Sequence, residues 1–189
     1  MKLGILISGR GSNMVAIANA VQSGEIPNSE IVCVISDKTS AAGLEKAKSL
    51  GIETLAITRR GRARSEHDAE IIEALRARGV ELVCLAGYMR LLSDEFIAAF
   101  PNKIVNIHPS LLPSFPGLDA QKQAFDYGVK FTGCTVHFVD EQLDHGAIIL
   151  QKVVEVADDD TAEHLSSKIL EHEHALYVAA LKKIVAGRF

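Results

Sequence analysis

A chain of 189 residues that is 48% hydrophobic can bury a continuous core without help from disulfides or metal. Its 20 Lys and Arg against 24 Asp and Glu give a net charge of −4, which excludes the basic footprint of an extended nucleic-acid surface and leaves only a local phosphate site open. No apolar run reaches the roughly 18 residues of a membrane span, and no leader pattern opens the chain, so a cytoplasmic location is expected.

In chain order, residues 3–7, 31–35, 53–57, 82–86 and 104–107 are short runs rich in Val, Ile and Leu, each bounded by Gly, Pro, Ser or charge, and they read as strands. Helix-length segments at 13–22, 41–49, 65–78 and 93–99 alternate with them. This rhythm predicts an α/β protein with buried parallel strands in a Rossmann-like open sheet. After Gly117 a short helix at 121–127 precedes extended runs at 131–139 and 147–156 and a long helix at 161–184, so the sheet is expected to turn mixed in its C-terminal part. The acidic run Asp158, Asp159 and Asp160 reads as the N-terminal cap region of that helix, where carboxylates complement its dipole. With no repeat, linker or low-complexity tract, residues 1–189 are expected to form one domain. Cys33, Cys84 and Cys134 each stand alone in an apolar stretch and read as buried hydrophobes.

Open sheets of this kind bind ligands at the carboxyl ends of their strands. There, Ser8-Gly9-Arg10-Gly11-Ser12-Asn13 links the first strand to the first helix and suits an anion held by backbone N–H groups; a plain turn with a Ser or Asn helix cap is the alternative. Met14 stands where a dinucleotide fingerprint needs its third glycine, and no P-loop lysine follows. Asn106 and His108, two apart on a strand, share one side, so an amide donor and an imidazole can act on one atom. A strand-end His bonded to backbone is the alternative. Asp144 could tune or relay a proton to that imidazole, or belong to a solvated loop. Glu173 falls in the apolar helical stripe of Leu165, Ile169, Leu176 and Ala180, so it either meets a buried cation or faces a ligand. His137 lies within a strand, and His172 and His174 cannot share a ligand face, so no zinc site is expected.

The blocks 7–13, 85–92, 106–113 with 115–117, and 135–140 leading to Asp144 and Gly146 occur in an order and spacing that resembles the glycinamide ribonucleotide transformylases, which are folate-dependent formyltransferases. The resemblance covers essentially the whole chain. It implies that Asn106, His108 and Asp144 are catalytic, that Gly11, Ser12 and Asn13 hold the nucleotide phosphate, and that Glu173 contacts the ribosyl glycinamide. It further implies that Arg64, Met89, Arg90, Leu91 and Leu92, with Asn106, Asp140 and Asp144, line the folate site. The implied substrates are 10-formyltetrahydrofolate and 5-phosphoribosylglycinamide, with no metal, nucleic-acid or membrane partner, in a monomer or homodimer. Related hydrolases and tRNA formyltransferases normally carry a further domain, for which 189 residues leave no room. In another class, Asp37 after the second strand would suit the ribose of a nicotinamide cofactor in an oxidoreductase.

Overall fold

Strictly apolar runs can be strands only where both sheet faces are covered, and the computed structural model, which describes residues 1–188, covers them with helices on each side. In chain order the elements are β1 (Lys2–Ile7), α1 (Ser12–Gln22), β2 (Glu30–Ser36), α2 (Ala42–Ser49), β3 (Thr54–Ala56), α3 (Arg64–Ala77) and β4 (Leu82–Leu85). They continue with α4 (Asp94–Ala99), β5 (Ile104–His108), α5 (Ala120–Tyr127), β6 (Phe131–Phe138), β7 (Ile148–Glu155) and α6 (Ala162–Val185). Every element expected from the sequence is present, and the third strand keeps only three residues.

Seven strands form one sheet in the order β3-β2-β1-β4-β5-β6-β7. The first five are parallel, and β6 pairs antiparallel with both β5 and β7, which is the mixed C-terminal part the change of rhythm predicts. Period-2 alternation sends Leu3, Ile5 and Ile7 of β1 into a core shared with α1, α2 and α6, and Leu6 into a second core shared with α3 and α4. Gly4 points into the second core, where a Cβ would strike Leu75 at 2.6 Å, so the missing side chain lets α3 close onto the sheet.

The acidic run 158–160 stands in the expected cap region, directly before the C-terminal helix. The helix's capping oxygen belongs to Thr161, which accepts the His164 N–H at 3.1 Å, because that hydroxyl sits at the residue whose side chain reaches the first turn. Asp160 instead accepts the Ala157 N–H at 2.8 Å and Lys168 Nζ at 2.7 Å, bracing the entry. Further along α6, the buried Tyr177 hydroxyl donates toward the carbonyls of Val105 (2.9 Å) and Leu85 (3.2 Å). This pins the helix over the carboxyl end of β4 and the first half of β5, about one turn from Glu173.

The chain leaves β1 toward β2 and β3, then returns past β1 to β4, so the order reverses between β1 and β4 and opens a crevice at their carboxyl ends. Two hydrogen bonds join the loops there: Ser8 N–H to the Gly87 carbonyl at 3.0 Å, and Met89 N–H to Ser8 Oγ at 2.9 Å.

Candidate active site

The loop after β1 ends at Gly11, whose φ of 69° is left-handed and whose Cα lies so near Gly43 that a Cβ would meet Gly43 Cα at 2.8 Å. No side chain caps α1, so the alternative of a Ser or Asn helix cap does not hold. The first-turn N–H groups of such a helix lack intrahelical partners and carry the positive end of its dipole, which suits an anion.

Asn13 does something else. Its Nδ2 donates to Glu173 Oε2 at 2.7 Å, which ties the first turn of α1 to α6. Glu173 is buried and has no cationic partner among the described residues, so the buried-cation reading fails. Burial pushes its carboxyl above the ordinary value, against the opposing pull of the Asn13 hydrogen bond. Asn13 Oδ1, also buried, has no hydrogen-bond partner among the described residues.

At the end of β5 four side chains converge. The antiparallel register sets Asn106 opposite His137 and His108 opposite Thr135, so the polar positions of β5 face those of β6. His137 Nδ1 lies 2.8 Å from the Phe138 carbonyl and must donate to it, while burial holds the ring below its ordinary pKa although that carbonyl and Asp144 raise it. A neutral ring protonated at Nδ1 offers a lone pair at Nε2, and the Asn106 amide nitrogen stands 3.3 Å away to donate into it. His137 thereby orients the Asn106 amide and leaves its second N–H available.

His108 has Nε2 at 2.9 Å from the Phe115 carbonyl and Nδ1 at 3.4 Å from Asp144 Oδ2. Both ring nitrogens face oxygens, an arrangement satisfied on both sides only by the doubly protonated ring. The backbone contact expected of a bland strand-end His and the carboxylate contact of a catalytic one therefore coexist. Asp144, at a left-handed φ of 50°, also accepts the Gly117 N–H at 2.8 Å and places its Oδ1 3.9 Å from His137 Nε2. The 109–117 loop that supplies these groups is itself fixed. Thr135 Oγ1 donates to the Ser110 carbonyl (2.7 Å) and accepts the Leu112 N–H (3.1 Å), while Gln151 donates to the Leu112 carbonyl (2.9 Å).

Of the other expected residues, Met89 and Leu91 are exposed on the loop after β4, and the Arg90 guanidinium lies 3.6 Å from Asp37. This engages the acid that the oxidoreductase alternative needs for a ribose. Leu92 packs against the second core. Asp140 is held by His145 Nδ1 at 2.9 Å and accepts the Gln142 N–H at 2.9 Å, while Arg64 opens α3 as an exposed residue. The structure thus gathers Asn106, His108 and Asp144 into one cluster and Asn13 with Glu173 into another. His137 is the residue that sequence reasoning set aside. Its only signal was polar Thr135 and His137 recurring at period 2 inside an apolar strand, and the register with Asn106 is a long-range property. Among the described residues, no group of three or more His, Cys, Asp or Glu is arranged to hold a metal ion, and no helix is long and apolar enough to cross a membrane.

Comparison with known proteins places this geometry in a family. The formyl transferase family model matches residues 1–181. The chain is 46% identical to the trifunctional purine biosynthetic protein adenosine-3 of Gallus gallus over 99% of its own length but only 19% of that protein's, so it spans about a fifth of that relative. It is 41% identical to the phosphoribosylglycinamide formyltransferase of Bacillus subtilis over 97% of this chain and 94% of that one. The crystal structure of glycinamide ribonucleotide transformylase 1 from Symbiobacterium toebii superposes with a TM-score of 0.97 at 49% identity, covering 100% of this chain and 89% of the other. A family match across nearly all of the chain, joined to relatives matched almost end to end, shows that the chain belongs to the formyl transferase family, among the phosphoribosylglycinamide formyltransferases.

Proposed function

We propose that this chain transfers the formyl group of 10-formyltetrahydrofolate to the amine of 5-phosphoribosylglycinamide. The observation that carries the reading is the convergence of Asn106, His108 and Asp144 at the end of β5, with Asn106 oriented by His137 and His108 facing Asp144 at 3.4 Å. Acyl transfer needs donors aimed at a developing oxyanion and a group to move a proton, and the cluster offers both.

The neutral amine attacks the formyl carbon, and the carbonyl π electrons move onto oxygen. The free Asn106 N–H donates to that oxygen, and the His108 imidazolium, whose own N–H groups face Phe115 and Asp144, stabilises it by charge; a preorganised donor in such a site contributes about 3 kcal/mol. Asp144 stabilises the imidazolium by its charge. The amine nitrogen then loses its proton and N10 gains one as the C–N10 bond breaks, with the electron pair leaving on N10. The loop at Gly11, Ser12 and Asn13 takes the substrate phosphate, and Glu173 takes hydroxyl or amine groups of the same substrate. Met89, Leu91 and Leu143 are exposed apolar side chains on the two loops beside the cluster, and with Arg64, Arg90, Leu92 and Asp140 they form the folate side.

The deciding assay follows absorbance as 10-formyltetrahydrofolate loses its formyl group with and without 5-phosphoribosylglycinamide. Loss that depends on the nucleotide is the expected result. Loss without it would make the chain a hydrolase, and no loss at all would overturn the reading.

Glu173→Gln separates binding from stability. The variant is expected to raise the nucleotide KM about tenfold, the cost of one charge-assisted hydrogen bond, with the folate KM unchanged. Because burial raises the folded-state pKa of Glu173 above 4.5, its contribution to stability is fully present below the unfolded value and is lost as pH rises through the folded one. A permanently neutral Gln escapes that loss, so its melting temperature relative to wild type should climb with pH. Equal nucleotide affinities in kinetic measurements would reduce Glu173 to a structural partner of Asn13.

A further inference from the structure

Residues 86–93 have no regular secondary structure, yet they carry Met89 at 65% and Leu91 at 57% exposure toward the folate side. A loop that offers its apolar side chains to a ligand cannot be shaped by burying them. Its conformation rests on polar anchors. The Gly87 and Met89 end is tied to Ser8, and the remainder is tied to two carboxylates from elements outside the catalytic cluster.

Asp68, on α3 and only 2% exposed, accepts the Ser93 N–H at 2.7 Å, which fixes the point where the loop becomes α4. Its other oxygen lies 3.4 Å from His67 Nδ1, and His67 Nε2 is 2.8 Å from the Ile57 carbonyl at the end of β3. Asp37, 8% exposed at the end of β2, faces the Arg90 guanidinium at 3.6 Å. Between them lies Tyr88, whose buried hydroxyl has no hydrogen-bond partner among the described residues. Burial first, and then the charges of Asp68 and Asp37, push that phenol well above its ordinary value, as expected if both carboxylates bear on the loop. Buried carboxylates are costly to keep, and nothing in the proton-transfer chemistry at His108 uses these two.

We propose that Asp68 and Asp37 are positioning residues for the formyl donor: from α3 and β2 they hold the 86–93 loop in the shape that receives the folate, without touching the reacting atoms. This rests on the reading of that loop as the folate side of the site. Asp68 acts through the backbone of Ser93, and Asp37 acts by charge through Arg90. Asn at position 68 keeps an acceptor for the Ser93 N–H, whereas Asn at position 37 loses the charge that Arg90 faces.

Steady-state kinetics on the full chain, with each substrate varied in turn, tests this in Asp68→Ala, Asp68→Asn and Asp37→Asn. Asp68→Ala is expected to raise the KM for 10-formyltetrahydrofolate about tenfold, the loss of one buried hydrogen bond to a charged group. Its kcat and nucleotide KM should stay within about twofold of wild type, the signature of lost ground-state positioning on one substrate only. Asp68→Asn should recover most of the folate KM, and Asp37→Asn should raise it severalfold. An unchanged folate KM in Asp68→Ala and Asp37→Asn, or equal rises for both substrates, would overturn the inference. Should Asp68→Ala fail to fold, a normal folate KM in Asp37→Asn would do the same. A wild-type chain without nucleotide-dependent deformylation would sink the transferase reading and this inference together, whereas an active wild type with unaltered variants would sink this inference alone.

Discussion

Replacing His108 by Ala is expected to lower kcat by between about a hundredfold and ten-thousandfold, the range for a removed general acid–base group, while both substrates still bind. Binding should survive because the 109–117 loop does not hang on the imidazole. Its Phe115 carbonyl loses one donor, but Thr135 and Gln151 still hold Ser110 and Leu112. Asn13 and Glu173 belong to α1 and α6 and bond to each other, not through His108. Turnover close to wild type in a single-turnover assay would remove His108 from the chemistry. A collapse of nucleotide affinity measured by calorimetry would recast it as a structural residue.

Asp144→Asn should cost nearly as much, about a hundredfold or more in kcat, because a carboxylate facing an imidazole supports its charged form and an amide does not. The substitution isolates charge. Asp144 occupies a left-handed backbone conformation that Asn tolerates and most residues do not, and an Asn oxygen can still accept the Gly117 N–H. Asp144→Ala would mix the loss of charge with backbone strain and is the poorer experiment. A kcat within a few-fold of wild type in Asp144→Asn would leave Asp144 as a tie between its loop and Gly117.

These two residues show how far a linear reading reaches. Asn106 and His108 are paired by period-2 geometry within one strand, a local property, and the structure places them together as expected. Asp144 lies far along the chain, where a carboxylate tuning the imidazole and a solvated loop residue stood as alternatives, and the β6–β7 connection carries it to 3.4 Å from the ring. His137 shows the opposite. Its sequence setting placed it only within a strand, and burial beside Asn106 makes it an orienting acceptor. Glu173 was recognised as anomalous from its helical stripe, yet its partner is Asn13, 160 residues away, and not a cation.

The sequence by itself determined the alternation of strands and helices, the change of rhythm after Gly117, the glycine turn that opens α1, and the pairing of Asn106 with His108. All follow from short-range causes: periodicity, turn chemistry and which φ values a residue tolerates. Only the tertiary structure decided the strand order that puts β1 beside β4, the antiparallel register that sets His137 against Asn106, and the docking of α6 that brings Glu173 to Asn13. It also decided the anchoring of the 86–93 loop by Asp68 and Asp37. Each of these depends on contacts between segments remote in the chain, where the competing partners are compared by packing and by the cost of leaving buried polar groups unpaired, and no local pattern records the outcome.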